Sequence, residues 1–84
     1  MFTYNKPTTA TEEVTIQTPY YCRDTYTVMM VTEDNILVKI YPDHSIIKFK
    51  ENIGIQLVAM KEEITEADFK NALRNALNNL DQLL

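Results

Sequence analysis

The chain has 84 residues, which is enough for one domain and leaves no room for a second hydrophobic core. It contains one glycine, one cysteine and one histidine, which excludes a glycine-rich phosphate loop, a zinc finger and a disulfide framework. Twelve acidic against eight basic residues give a net charge of −4, which disfavours non-specific attraction to nucleic acid or to anionic lipid.

The first 11 residues are rich in threonine and carry little periodicity, which predicts a loose N-terminal arm or an edge segment. They lack the basic start and the apolar stretch of a secretion signal. No apolar run in the chain approaches the ~18 residues that span a bilayer. We therefore expect a cytoplasmic protein, in which a single cysteine stays reduced.

Residues 13 to about 60 are rich in β-branched and aromatic side chains, which are typical of strands. Val14 and Ile16 indicate a first strand at 13–18, which Pro19 interrupts and 20–22 continues; its pairing partner stays open. Four further strands are predicted as an antiparallel meander, at about 25–32, 35–41, 44–49 and 53–60.

Three turns determine the predicted register of this meander. Asn35 and Asn52 each end a polar tripeptide, and asparagine readily adopts the positive φ that closes a three-residue hairpin loop. Pro42 fits the second position of a tight turn that pairs Tyr41 with His44. One face of the sheet then collects Tyr26, Val28, Met30, Ile36, Val38, Ile40, Ile47, Phe49, Ile53, Ile55, Leu57 and Ala59.

A single helix is predicted over residues 65–84. Thr65 and Asp68 have the spacing of an N-cap and its reciprocal acid, and Ile64 is placed as a hydrophobic staple. Apolar residues then recur every three or four positions, at Phe69, Leu73, Ala76, Leu80 and Leu83. The expected fold class is α+β: one domain over 1–84, with a four- to five-stranded antiparallel β-meander packed on one face by a single C-terminal α-helix.

The second face of this sheet is too apolar for a surface that only water contacts. Either the first 24 residues fold back over it or a partner covers it. We expect a partner, and favour a homodimer because symmetric dimers are the commonest oligomers. The contact residues expected on this face are Met29, Leu37, Tyr41, Ile46, Val58 and Met60.

Residues with catalytic chemistry are few. Cys22 has no flanking base, and we interpret it as a strand cysteine packed among tyrosines. His44 and Ser45 are neighbours in a strand, so their side chains point to opposite faces and form no dyad. The acids at 62–68 fit a capped helix start better than a cation site. We therefore expect no enzyme, no metal, no cofactor and no small-molecule substrate.

Three functions fit these observations. The favoured one is a non-catalytic protein–protein interaction or oligomerisation module that meets its partner through the helix-free sheet face. The alternative is a single-stranded nucleic-acid-binding dimer, in which Tyr41 stacks on a base while Lys39 and Lys48 neutralise phosphates. A second alternative is a small acidic inhibitor or mimic that presents carboxylates to a nucleic-acid-binding enzyme.

Overall fold

A computed structural model describes residues 1–7 and 12–83, with side chains described as far as residue 79. In chain order the elements are β1 (Phe2–Lys6), β2 (Glu12–Ile16), β3 (Tyr20–Arg23), β4 (Val28–Val31), β5 (Leu37–Ile40), β6 (Ile46–Phe49), α1 (Ile53–Val58), β7 (Glu62–Glu63) and α2 (Glu66–Leu83). A five-stranded antiparallel sheet has the order β6-β5-β4-β3-β7, and β1 and β2 pair as a separate hairpin. The predicted α+β class, with an antiparallel sheet and a C-terminal helix, is confirmed.

Helix α2 covers one face of the sheet, as its apolar stripe predicts. Phe69 and Ala76 are buried with Ile40, and half-buried residues of β3, β4 and β5 pack around them. The helix begins after Thr65, whose Oγ1 accepts a hydrogen bond from the Asp68 N–H at 3.1 Å, so the predicted cap is confirmed. The side chains of Leu80 and Leu83 lie outside the described part of the chain.

The β4–β5 turn has the predicted register, and the β5–β6 turn does not. Asn35 has φ 60°, and the Thr32 N–H donates to the carbonyl of Ile36. In the second turn the residue with positive φ is His44, at 67°, and the Tyr41 N–H donates to Ser45. The predicted pairing of Tyr41 with His44 is therefore wrong, because the loop is one residue longer than a tight turn.

This one-residue shift reverses the two faces of β6. Ile47 lies opposite Lys39 and Phe49 opposite Leu37, on the sheet face that points away from α2. Lys48 lies opposite Val38, on the α2 face. The prediction that Ile47 and Phe49 share the helix-covered face is wrong for this reason.

The predicted fourth strand at 53–60 is also wrong, because this segment begins with the short helix α1. Asn52 has the expected positive φ, at 59°, but it precedes a helix and closes no hairpin. Ile53 and Leu57, one helical turn apart, are the two residues of α1 that are buried. The fifth strand of the sheet is instead the two-residue β7, which pairs with β3.

The second face of the sheet is covered within the chain itself. The β1–β2 hairpin contributes Tyr4 and Ile16 to a core cluster with Ile53 and Leu57 of α1. The N-terminal segment is therefore not a loose arm where the structure describes it, since Phe2–Lys6 is a paired strand; residues 8–11 of that segment lie outside the described residues. The molecule thus has three layers: α2, the five-stranded sheet, and a layer made of the hairpin and α1.

Over the described residues, neither helix combines the length with the hydrophobicity that crossing a bilayer requires.

Candidate functional site

The sheet face that the sequence assigns to a partner is part of the hydrophobic core. Met29 and Leu37 are fully buried, in a cluster with Ile53 and Leu57 of α1. The prediction that Met29 and Leu37 contact a partner is therefore wrong, because no surface of either side chain is accessible. The helix-free face fails as a docking surface for the same reason.

The other four predicted contact residues do not form one surface. Met60 is half-buried, and its sulfur accepts a hydrogen bond from the Tyr20 hydroxyl at 3.2 Å. Val58 lies on the outer side of α1, whereas Ile46 lies opposite Ile40, whose side chain packs beneath α2. Tyr41 directly follows β5 and is half-buried. The structure therefore separates these residues onto different sides of the molecule.

Lys39 lies in a polar cluster on the α1 side of the sheet and is poorly placed to meet phosphate. Its side chain is only 12% exposed, and Nζ donates to Gln56 Oε1 of α1 at 2.8 Å. The same Nζ lies 3.8 Å from Asp24 Oδ2 and 5.3 Å from the centre of the Tyr41 ring. The charge of Lys39 is thus already matched by groups of its own chain.

Asp24 is the anionic member of this cluster. Its Oδ1 accepts hydrogen bonds from the backbone N–H groups of Tyr26 and Thr27, at 2.9 and 2.7 Å. Burial alone acts to raise the pKa of Asp24, but the hydrogen bonds from Thr27 and Tyr26, together with Lys39, outweigh it and lower the pKa. Asp24 therefore stays ionised and holds Lys39 in place.

The predicted nucleic-acid site does not assemble. Lys48 lies on the α2 face of the sheet. Lys39 lies on the opposite face, with its Nζ over the ring of Tyr41. A nucleic-acid strand would need cations and an aromatic ring along one groove. Lys39, Tyr41 and Lys48 provide no such groove.

Cys22 is not an accessible nucleophile, and the residues described form no metal cage. Cys22 is fully buried, and burial, with Asp24 and Glu63 nearby, raises the pKa of its thiol to about 12. His44 is exposed at the β5–β6 turn, and Ser45 donates to Asp43 Oδ1 at 2.6 Å. No three side chains of His, Cys, Asp or Glu within 1–7 and 12–79 converge as metal ligands.

An apolar groove lies between α1 and β1. It has a volume of about 520 Å³, and its lining includes Ile55, which is 69% exposed, together with Val58. Gly54 forms part of the lining because α1 approaches β1 closely: a Cβ at this position would lie 3.0 Å from the Cβ of Tyr4. None of the described residues that line the groove has an ionisable side chain.

The outer edge of β6 is a second exposed apolar surface. Among the strands of residues 1–7 and 12–83, β6 is the last on its side of the sheet, and three of its four residues are exposed. Ile46 is 37% exposed and Ile47 is 45% exposed, on opposite faces of the same edge. The opposite edge of the sheet is charged instead of apolar, because β7 contains only the two acidic residues Glu62 and Glu63.

The hydrogen bonds of the β5–β6 turn show which backbone groups of β6 point outward. The pair Tyr41–Ser45 is hydrogen-bonded, and antiparallel pairs alternate between bonded and non-bonded. Ile47 and Phe49 therefore bond inward to β5. The N–H and C=O groups of Ile46 and Lys48 point away from β5, to the side where the described residues provide no strand.

The sequence does not predict this edge, because it places β6 between two strands. It predicts Ile46 as a contact residue of an open face and Ile47 as part of the helix-covered face. Ile53 and Leu57 also fit one helical turn, and a helix over 53–58 would leave β6 without the following strand that the prediction gives it.

Comparison with known proteins finds no matching family model, no matching curated protein and no matching solved structure.

Proposed function

We propose that this protein is a non-catalytic interaction module that binds an extended segment of a partner protein along the outer edge of β6. The segment adds a sixth strand to the sheet, with main-chain hydrogen bonds supplying the contact. The observation that carries this proposal is that the outward N–H and C=O groups of Ile46 and Lys48 pair with no strand of the part of the chain that the structure describes, and exposed isoleucine side chains lie beside them. This replaces the buried sheet face as the interaction surface.

Edge strands are usually protected from such pairing, and the protection of β6 consists of its lysines. A proline, a bulge or a covering element blocks pairing in many proteins. β6 has no proline and no bulge, and its register with β5 runs unbroken from Ile46 to Phe49. Lys48 and Lys50 are the charged residues of this segment that oppose aggregation.

The test uses two substitutions at one position. Ile46→Pro removes an outward N–H at the first residue of the strand, where proline is tolerated. Ile46→Ala removes most of the same side chain and keeps the N–H. Peptides are selected from a displayed random library on the wild-type protein, and their binding to both variants is measured by calorimetry.

We expect the selected peptides to bind the wild-type protein and Ile46→Ala, and to lose binding to Ile46→Pro. Far-UV circular dichroism and urea unfolding establish that both variants are folded. Peptides that bind Ile46→Pro as tightly as wild type would overturn the proposal. So would a selection that yields no peptide with a dissociation constant below about 1 mM.

A further inference from the structure

We infer that the segment accepted by β6 alternates acidic and apolar residues, an inference that rests on the proposed strand addition. Side chains of an added strand alternate between the two faces of the sheet, in step with those of β6. The chemistry of each face of β6 therefore selects every second residue of the partner segment. The two faces of β6 differ in charge.

On the α2 face, Ile46 is followed along the chain by two cations. Lys48 lies opposite Val38 and is exposed, and Lys50, also exposed, directly follows the strand. Neither lysine has an acidic side chain within 4 Å among the described residues, whereas Lys39 and Lys70 both do. An added strand with carboxylates on this face would place opposite charges directly across from each other, which stabilises cross-strand pairs.

On the α1 face, the edge presents apolar surface. Ile47 is 45% exposed, and Phe49 is half-buried against the core cluster of Met29, Leu37 and their neighbours. The cation on this face, Lys39, is opposite Ile47 and already bonded to Gln56. β-branched or aromatic residues of the added strand would cover this surface.

The same charges disfavour a second copy of the chain as the occupant of this edge. Two β6 strands paired about a twofold axis would bring Lys48 and Lys50 of both copies to one seam, with no acidic residue in β6 to offset them. The β7 edge of another copy is acidic but only two residues long, and Glu62 is already paired with Arg23. A partner of different sequence fits the edge better.

The experiment compares three peptides of equal length that alternate valine with glutamate, glutamine or lysine. Binding to the full-length protein is measured by calorimetry at low and at high salt, and the same titrations are repeated on the Lys48→Gln/Lys50→Gln variant and on Ile46→Pro. We expect the glutamate peptide to bind about five-fold more tightly than the glutamine peptide at low salt, as two exposed ion pairs allow. We expect the lysine peptide to bind most weakly.

The preference for glutamate should shrink at high salt and disappear in Lys48→Gln/Lys50→Gln, while Ile46→Pro binds none of the three. Equal binding of the glutamate and glutamine peptides, still lost in Ile46→Pro, would overturn this inference and leave strand addition standing. Failure of every peptide to bind would overturn both. A dimer in analytical ultracentrifugation that Ile46→Pro abolishes would identify a second copy as the occupant and overturn this inference alone.

Discussion

Lys39 on β5 and Gln56 on α1 join two layers of the molecule through a hydrogen bond of 2.8 Å between Nζ and Oε1. This contact fixes α1 against the sheet on the side where β6 forms the edge. Asp24 and the Tyr41 ring complete the surroundings of the Lys39 ammonium group. A lysine that the sequence assigns to a binding surface is therefore a structural residue.

Gln56→Ala should lower the free energy of unfolding by about 1 kcal/mol, because it leaves a mostly buried ammonium group without one of its acceptors. The control is Ile55→Ala on the same helix, since Ile55 is largely exposed and should change stability by less than about 0.5 kcal/mol. Urea unfolding measures both variants. Equal effects of the two substitutions would show that the Lys39–Gln56 bond contributes nothing.

The lowered pKa of Asp24 predicts that the free energy of unfolding decreases in acid. Its pKa is lowered in the folded chain, so the unfolded state binds the proton more readily at low pH. The resulting stabilisation is present above the unfolded pKa of about 3.9 and is lost as pH falls through the lower folded value. Asp24→Asn should be less stable than wild type at pH 7, and the difference should shrink below pH ~4.

Urea unfolding from neutral pH to strongly acidic pH measures this difference. Asp34→Asn, in the exposed β4–β5 turn, is the control and should leave the wild-type profile unchanged. A difference between wild type and Asp24→Asn that stays constant over the whole range would contradict a lowered pKa at Asp24.

Cys22 should react with thiol reagents only when the chain unfolds. It is fully buried, and its pKa of about 12 keeps the thiol protonated in the folded state. For a domain of ordinary stability, modification at pH 8 should be at least about a thousand-fold slower than in denaturant. The thiol reagent is one that releases a chromophore when it reacts, so the rate of modification is followed by absorbance. Fast modification of the folded chain would show that Cys22 is accessible.

The raised pKa of Cys22 also predicts how the free energy of unfolding changes at alkaline pH. Between the unfolded thiol pKa of about 8.5 and the folded value of about 12, the unfolded chain has lost the proton that the folded chain keeps. Stability therefore falls as pH rises through this range. In Cys22→Ala this part of the fall should be absent, which urea unfolding at alkaline pH detects.

Gly54→Ala should destabilise the protein although alanine favours helices. The added Cβ would lie 3.0 Å from the Cβ of Tyr4, an atom that can move only with strand β1. Overpacking costs about 1–3 kcal/mol, against a gain of about 1 kcal/mol in helix propensity. We expect a net loss of about 1 kcal/mol by urea unfolding; a gain in stability would show that α1 shifts freely over the hairpin.

The sequence predicts the elements whose local signals agree with their packing. Thr65 and Asp68 cap α2, and Phe69 and Ala76 mark its buried stripe, so this helix is recognised from spacing alone. Asn35 similarly marks the β4–β5 turn because asparagine tolerates the positive φ that closes it.

The errors arise where local signals are ambiguous. Ile53, Ile55 and Leu57 fit a strand at period two, while Ile53 and Leu57 alone fit one helical turn, and six residues are too few to decide. His44 adopts a positive φ, where histidine is enriched, but Pro42 also fits a two-residue turn, so the predicted register of β6 is off by one residue. Both errors concern segments next to β6 in the chain, the turn before it and residues 53–58 after it. Together they predict a strand paired on both sides where the structure has an edge strand.

The backbone amide protons of Ile46 and Lys48 provide the most direct test of strand addition at β6. Hydrogen exchange, followed residue by residue by NMR, is measured on the full-length protein with and without a saturating glutamate–valine peptide. We expect these two protons to exchange fast in the free protein and slowly in the complex, while those of Ile47 and Phe49 are protected in both. Protection that appears instead at the α1–β1 groove around Ile55, with Ile46 and Lys48 unchanged, would contradict it.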